Sequence, residues 1–187
     1  MTDSRLAIGI VEIESIAAGV RAADAMLKMA AVHLLEADAT SPGKYLVMVG
    51  GDVASVAASV EAGVAAAADR LLGQVLIAHL HAQVLAAMQG VQAPAAVGAV
   101  GVVETATVAA VIRAADAAAK TAVVDLLELR MARGLGGKGF VTFTGDVASV
   151  QAGVAAAAAA AGEGALVGTA VIAAPHPDLQ PKLRRDV

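Results

Sequence analysis

Two kinds of hydrophobic run alternate along the chain. Residues 6–13 are branched and apolar over the length of a buried strand. Ser15 then supplies a helix cap, and Ile16, Val20, Ala23, Leu27 and Ala30 recur at helical spacing, which predicts one apolar stripe on a helix reaching about residue 31. Arg21, Asp24 and Lys28 share another face, with Asp24 four residues before Lys28, the favourable order for a helical ion pair. Residues 32–37 and 45–49 predict two strands joined by the loop 40–44. Asp52 caps a second predicted helix whose buried stripe is Val53, Val56, Val60, Val64 and Leu71, and residues 75–78 predict a fourth strand. A short helix over 82–88 and a linker over 90–96, containing Pro94, follow.

The pattern then repeats. Gly51-Asp52-Val53-Ala54-Ser55-Val56 returns unchanged as Gly145-Asp146-Val147-Ala148-Ser149-Val150, 94 positions on. Gly9-Ile10-Val11-Glu12 returns as Gly101-Val102-Val103-Glu104, and Ala22-Ala23-Asp24-Ala25 as Ala114-Ala115-Asp116-Ala117, both 92 positions on. The second copy therefore gains two residues between Glu128 and Lys138, in a loop. Its predicted elements are strands at 97–104, 124–129, 140–144 and 166–173 and helices at 108–119 and 147–161, the alanine run 155–161 having high helix propensity. The domains are expected at 5–90 and 96–177, with a polar tail at 178–187. Each is expected to be a compact α/β (α+β) unit with helices on one face of a small mixed sheet.

Composition sharpens this picture. The 187 residues are 58% hydrophobic but only 2% aromatic, so Ala, Val and Leu carry the apolar load. Such a surplus fits thin elements packed closely, with some apolar surface buried between subunits. A net charge of −4, without a basic stripe, gives nucleic-acid binding no support. Cysteine is absent, which removes disulfides and thiolate metal sites and fits a cytosolic setting, and the amino terminus lacks the pattern of a signal peptide. Residues 71–103 hold no Asp, Glu, Lys or Arg, but Gly, Gln, His and Pro interrupt them too often for a membrane span.

Candidate chemistry is sparse. Gly134, Gly136 and Gly139 match the dinucleotide fingerprint letter for letter, but their turn feeds a strand and not a helix amino terminus. Of four histidines, only His81 has a counterpart, His176, and no carboxylate recurs beside them, so no metal site is expected. Glu12 and Glu104 recur at strand ends, as hydrogen-bonding partners for backbone more than as general bases. Arg21, Asp24 and Lys28 recur intact as Arg113, Asp116 and Lys120, which marks that face as a contact edge. No nucleophile–base pair can be named, so no enzyme is expected. A tandem α/β regulatory protein binding a small effector through its glycine loops is the alternative.

These residues together resemble the bacterial microcompartment shell domain. The strand Gly-Ile/Val-Val-Glu, the helix with Asp24, Lys28 and Ala30, the glycine loop ending in Lys44, the Gly51-Asp52-Val53 helix start and the closing Ile172-Ala173-Ala174-Pro175-His176 stand in family order. Two unpermuted copies are similar to the tandem, T-type class of shell protein. The resemblance implies a homotrimer whose six domains form a pseudohexameric disc, tiled with other shell proteins around encapsulated enzymes in the bacterial cytoplasm. It places Ser41, Pro42, Gly43, Leu135, Gly136 and Gly137 at a central pore for small polar metabolites, and Lys28 and Lys120 at tile edges. The family's edge arginine is His79 in the first copy, two residues before His81, and Ala174 in the second. Some T-type members hold an iron–sulfur cluster in the pore through a cysteine where this chain has Ser41, so no cluster or other cofactor is expected here.

Overall fold

The computed structural model describes residues 7–90, 97–132 and 134–183. The strand start at Leu6, most of the linker 90–96 and the last four residues of the tail lie outside the described residues. The chain divides into two compact units. One comprises residues up to 80 together with 107–109 and 132–137; the other comprises the rest.

In the first unit, β1 (Ala7–Ile13) leads to α1 (Ile16–Met29), then β2 (His33–Thr40), β3 (Lys44–Gly51), α2 (Val53–Ala67) and β4 (Leu71–Ile77). The sheet order is β2-β3-β1-β4. In the second unit, α3 (Ala82–Met88) precedes β5 (Ala99–Thr105), α4 (Val108–Thr121), β6 (Asp125–Met131), β7 (Gly139–Gly145), α5 (Val147–Ala161) and β8 (Leu166–Ile172), with sheet order β6-β7-β5-β8. Every ladder is antiparallel, which corrects the expected mixed sheet. Each helix does join strands of like direction, but an antiparallel strand is inserted between them: β3 between β1 and β2, and β1 between β3 and β4. The two-residue gain falls in the β6–β7 loop, since His33 pairs Gly50 in the first sheet and Asp125 pairs Thr144 in the second.

Capping fixes the helix starts. The Ser15 hydroxyl accepts from the Ala18 N–H at 3.3 Å, and Asp52 and Asp146 accept from the N–H groups of Ser55 and Ser149 at 3.0 and 2.9 Å. The second helix ends earlier than its apolar pattern predicts. Ala68, at φ 50°, terminates α2, and a 3-10 turn over Ala68–Arg70 delivers Leu71 into β4. Leu71 thus belongs to a strand, where a continuous Leu71-Leu72 pair disguised the change of period.

The helices pack through small residues. A Cβ on Gly19 of α1 would lie 2.3 Å from Tyr45 of β3, and one on Gly63 of α2 would lie 2.6 Å from Met26 of α1. The buried face of α1 is accordingly Ala18, Gly19, Ala22, Ala23 and Met26. Of the apolar stripe predicted for this helix, Ile16, Val20 and Leu27 are exposed instead. Close approach to the sheet selects small side chains, leaving the large ones on the outer face.

Core pairs change together between the repeats. Gly63 opposes Met26 in the first unit, whereas Ala157 and Ala118, both fully buried, occupy the matching positions of the second. Val49 becomes the buried Phe143, and Ser59 becomes Gly153, whose missing side chain leaves room for that ring: a Cβ there would sit 3.0 Å from it.

Two predictions follow from this packing. Gly19→Ala should cost about 1–3 kcal/mol in chemical denaturation, through overpacking against Tyr45. The Asp52 carboxyl is held below the ordinary carboxylate range chiefly by the Ser55 hydroxyl, and Asp146 chiefly by the Ser149 N–H. Their capping contribution is complete above the unfolded value of ~4 and disappears as pH falls through the lower folded values. An Asp52→Asn, Asp146→Asn variant should therefore lose less thermal stability than the parent on acidification below about pH 4.

Candidate functional site

Two loops and two carboxylates are the parts of this fold that carry unusual local geometry. The β2–β3 turn is only Ser41, Pro42 and Gly43, shorter than the loop 40–44 expected, because β2 and β3 pair as far as Thr40 and Lys44. Its Ser41–Pro42 peptide is cis, Gly43 sits at φ 93°, and the Gly43 N–H donates to the Thr40 carbonyl at 2.9 Å. All three residues are exposed. The β6–β7 loop is longer and left-handed over Gly134, Gly136 and Gly137, at φ 74°, 61° and 88°, a conformation that side chains resist. Within the first unit, Gly137 is buried against the short turn: a Cβ there would meet Lys44 at 2.9 Å and the Ser41 carbonyl oxygen at 3.1 Å. Leu135 is half-buried and Gly136 exposed.

Lys44 leads from this turn to Glu12. The Glu12 side chain is 0% exposed, with Oε1 accepting from Lys44 Nζ at 3.0 Å and Oε2 from the Val108 N–H, in the first turn of α4, at 2.9 Å. Both oxygens are thereby occupied, as a buried carboxylate requires. Its counterpart Glu104 accepts from Lys138 Nζ at 2.9 Å but is 39% exposed.

The repeated polar trio also sits in two environments. Arg21, Asp24 and Lys28 lie on the exposed side of α1, and Lys28 donates to Asp24 at 2.7 Å. On α4, Asp116 pairs with Lys120 in the same way but is buried, its Oδ1 accepting the His81 N–H at 2.8 Å. Arg113 donates to the Ala161 carbonyl at the end of α5, at 2.8 Å. His79 is exposed, while His81 caps α3 through Nδ1, which accepts from the Gln83 N–H. The structure thus joins Asp116 to His81, and leaves Arg21, Asp24, Lys28 and His79 at the surface.

One residue escaped sequence reasoning. Gln83 lays its amide along the edge of β6, its Nε2 donating to the Val124 carbonyl at 3.0 Å and its Oε1 accepting the Leu126 N–H at 2.8 Å. Its counterpart is Asp178, by the spacing from His81 and His176, so repetition gave no signal; an amide mimicking a strand's two backbone groups has no motif of its own.

The loop tip tests the iron–sulfur cluster carried by some similar proteins. Ser41, Pro42 and Gly43 offer a hydroxyl and backbone groups but no thiolate, a donor set that does not fit such a cluster. Among the described residues no group of three or more His, Asp or Glu could hold a metal ion, and no helix is long and apolar enough to cross a membrane.

Two four-stranded antiparallel sheets of identical order, each with two helices and a closing Pro-His or Leu-His segment, define a tandem-domain protein. The chain belongs to the BMC domain family, which matches residues 7–84 and 99–175. It is 45% identical, over 91% of its length and 93% of the relative's, to the bacterial microcompartment shell protein PduT of Citrobacter freundii. Over 42% of the chain and 76% of the relative, it is 42% identical to the carboxysome shell protein CcmK2 of Thermosynechococcus vestitus. A crystal structure of a microcompartment protein from Desulfitobacterium hafniense superposes with a TM-score of 0.81 at 50% identity, over 94% of this chain and 98% of that one.

The asymmetry between the carboxylates yields a prediction. Glu12→Ala should cost about 3–5 kcal/mol in urea unfolding, because it strands a largely buried ammonium and a backbone N–H. Glu104→Ala, in the isolated chain, should cost below about 1 kcal/mol, as for exposed ion pairs generally.

Proposed function

We propose that this chain is a structural, non-enzymatic component of a bacterial microcompartment shell. The observation that carries the reading is the 45% identity to a shell protein across 91% of the chain, spanning both BMC domains. The protein works as a homotrimer whose six domains form a hexagonal tile, in the bacterial cytoplasm, assembled with other shell proteins and facing encapsulated enzymes.

The two loops line a central pore, with Ser41, Pro42 and Gly43 alternating with Leu135, Gly136 and Gly137. Uncharged loop tips with a hydroxyl and open backbone groups suit small polar metabolites over ions. Lys28, Lys120, Arg21 and His79 are tile-edge residues, supported by their exposure. The pore carries no iron–sulfur cluster, because Ser41 supplies no thiolate.

Negative-stain electron microscopy of the concentrated protein tests the reading: hexagonal discs or sheets are expected, and discrete rounded oligomers that never tile would count against it. Lys28→Ala combined with Lys120→Ala should abolish sheets while leaving trimer mass unchanged. After anaerobic iron–sulfur reconstitution the parent should bind no stoichiometric iron. A Ser41→Cys variant should gain iron and visible absorption, since three thiolates would then meet on the trimer axis.

A further inference from the structure

Each repeat presents the same two junction-forming groups, yet one set is occupied within the chain and the other is open. In the first unit, Glu12 accepts the Val108 N–H, and Gly73, paired with Glu12 across the sheet, stands against Thr107 and Ala109, a Cβ there lying 3.5 Å from the Ala109 side chain. The counterparts are Glu104 and Gly168, paired in the same way. Glu104 is partly exposed, and a Cβ on Gly168 would meet nothing within 4 Å. The residues matching Thr107, Val108 and Ala109 are Ser15, Ile16 and Ala17, which open α1, and the Ile16 N–H has no acceptor among the described residues.

The second junction divides in the same way. Asp116 accepts the His81 N–H; its counterpart Asp24 is 60% exposed, and the His176 N–H, counterpart of His81, has no acceptor among the described residues. His81 and His176 nonetheless share one local geometry, each accepting through Nδ1 at 3.3 Å from the N–H two residues on. Apolar surface follows the same division. Val108 and Ile112 of α4 are fully buried, whereas their counterparts Ile16 and Val20 of α1 are 48% and 53% exposed.

The open groups on β8 and after it are thus the acceptor and donor that α1 lacks, and both sets lie on one chain. We propose that a second copy of this chain completes them: its α1 seats on Gly168, its Ile16 N–H donates to the Glu104 carboxylate, and its Asp24 accepts the His176 N–H. The inference rests on the trimer reading and specifies its joint. It also makes Asp24 a joint residue between copies, in contrast to the tile-edge role of Lys28 one turn further on. The two surfaces differ, so the contact is head-to-tail, and it closes only as a ring. One bond is not reproduced. Asp178 stands where Gln83 clamps β6, and a carboxylate cannot donate to the carbonyl of Val32, the counterpart of Val124.

The test uses the full chain with either surface blocked. Val20→Asp buries a charge in the α1 surface, and Gly168→Trp fills the open space on β8; both positions face solvent in the single chain, so far-UV circular dichroism should be unchanged. By native mass spectrometry each variant alone should be monomeric, and an equimolar mixture should give a one-to-one heterodimer, because one intact surface remains on each. Asp24→Ala should raise the concentration of half-dissociation by about tenfold, as loss of a buried charge-assisted hydrogen bond does, and Lys28→Ala by less than threefold. Trimers persisting in both blocked variants, a mixture that stays monomeric, or equal effects of Asp24→Ala and Lys28→Ala would overturn the joint while leaving the trimer standing. A parent protein monomeric at every concentration would instead defeat the trimer reading itself.

Discussion

A carboxylate that water cannot reach must find its hydrogen bonds inside the protein, and at Glu12 that requirement organises the surrounding structure. One oxygen draws in Lys44, which anchors the short turn between β2 and β3; the other takes the Val108 N–H and so fixes where α4 begins. A loop and a helix start are held by the same side chain, at the end of the central strand of the sheet. The loop therefore inherits its position from the core and not from its own sequence, which is what a rigid rim around an opening needs.

The two repeats share this framework but not its occupancy. Glu104 keeps the lysine and lacks the helix; Asp24 keeps its lysine and lacks the backbone donor that Asp116 has. Exposed Ile16 and Val20 against buried Val108 and Ile112 tell the same story in apolar area. A single chain of this design carries a satisfied end and an unsatisfied end, and burial of the latter at ~25 cal/mol per Å2 of apolar surface favours association.

Much of this was legible in the sequence because repetition supplies its own control. The doubled Gly-Asp-Val-Ala-Ser-Val start located α2 and α5 with their caps, and the change of offset from 92 to 94 located the longer hairpin. The strand order and the antiparallel ladders were not legible, since a run of branched residues reads alike whichever neighbour it pairs with. The inner face of α1 was misread for a physical reason: tight packing on Tyr45 demands Gly19 and alanines, so hydrophobicity ranked the helix's outer face above its inner one. Of the site, the carboxylates and loops were visible as repeated letters. Gln83 was not, because its counterpart differs and its role depends on reaching an edge 41 and 43 residues away.

The unequal hairpins have a consequence for inheritance. In an assembly of identical single-domain subunits, one codon change alters every loop around the opening at once. Here the short turn with one left-handed glycine and the long one with three are written in separate stretches of the gene. A mutation touches every second loop only, so half the rim can explore new chemistry while the other half preserves the passage that already works.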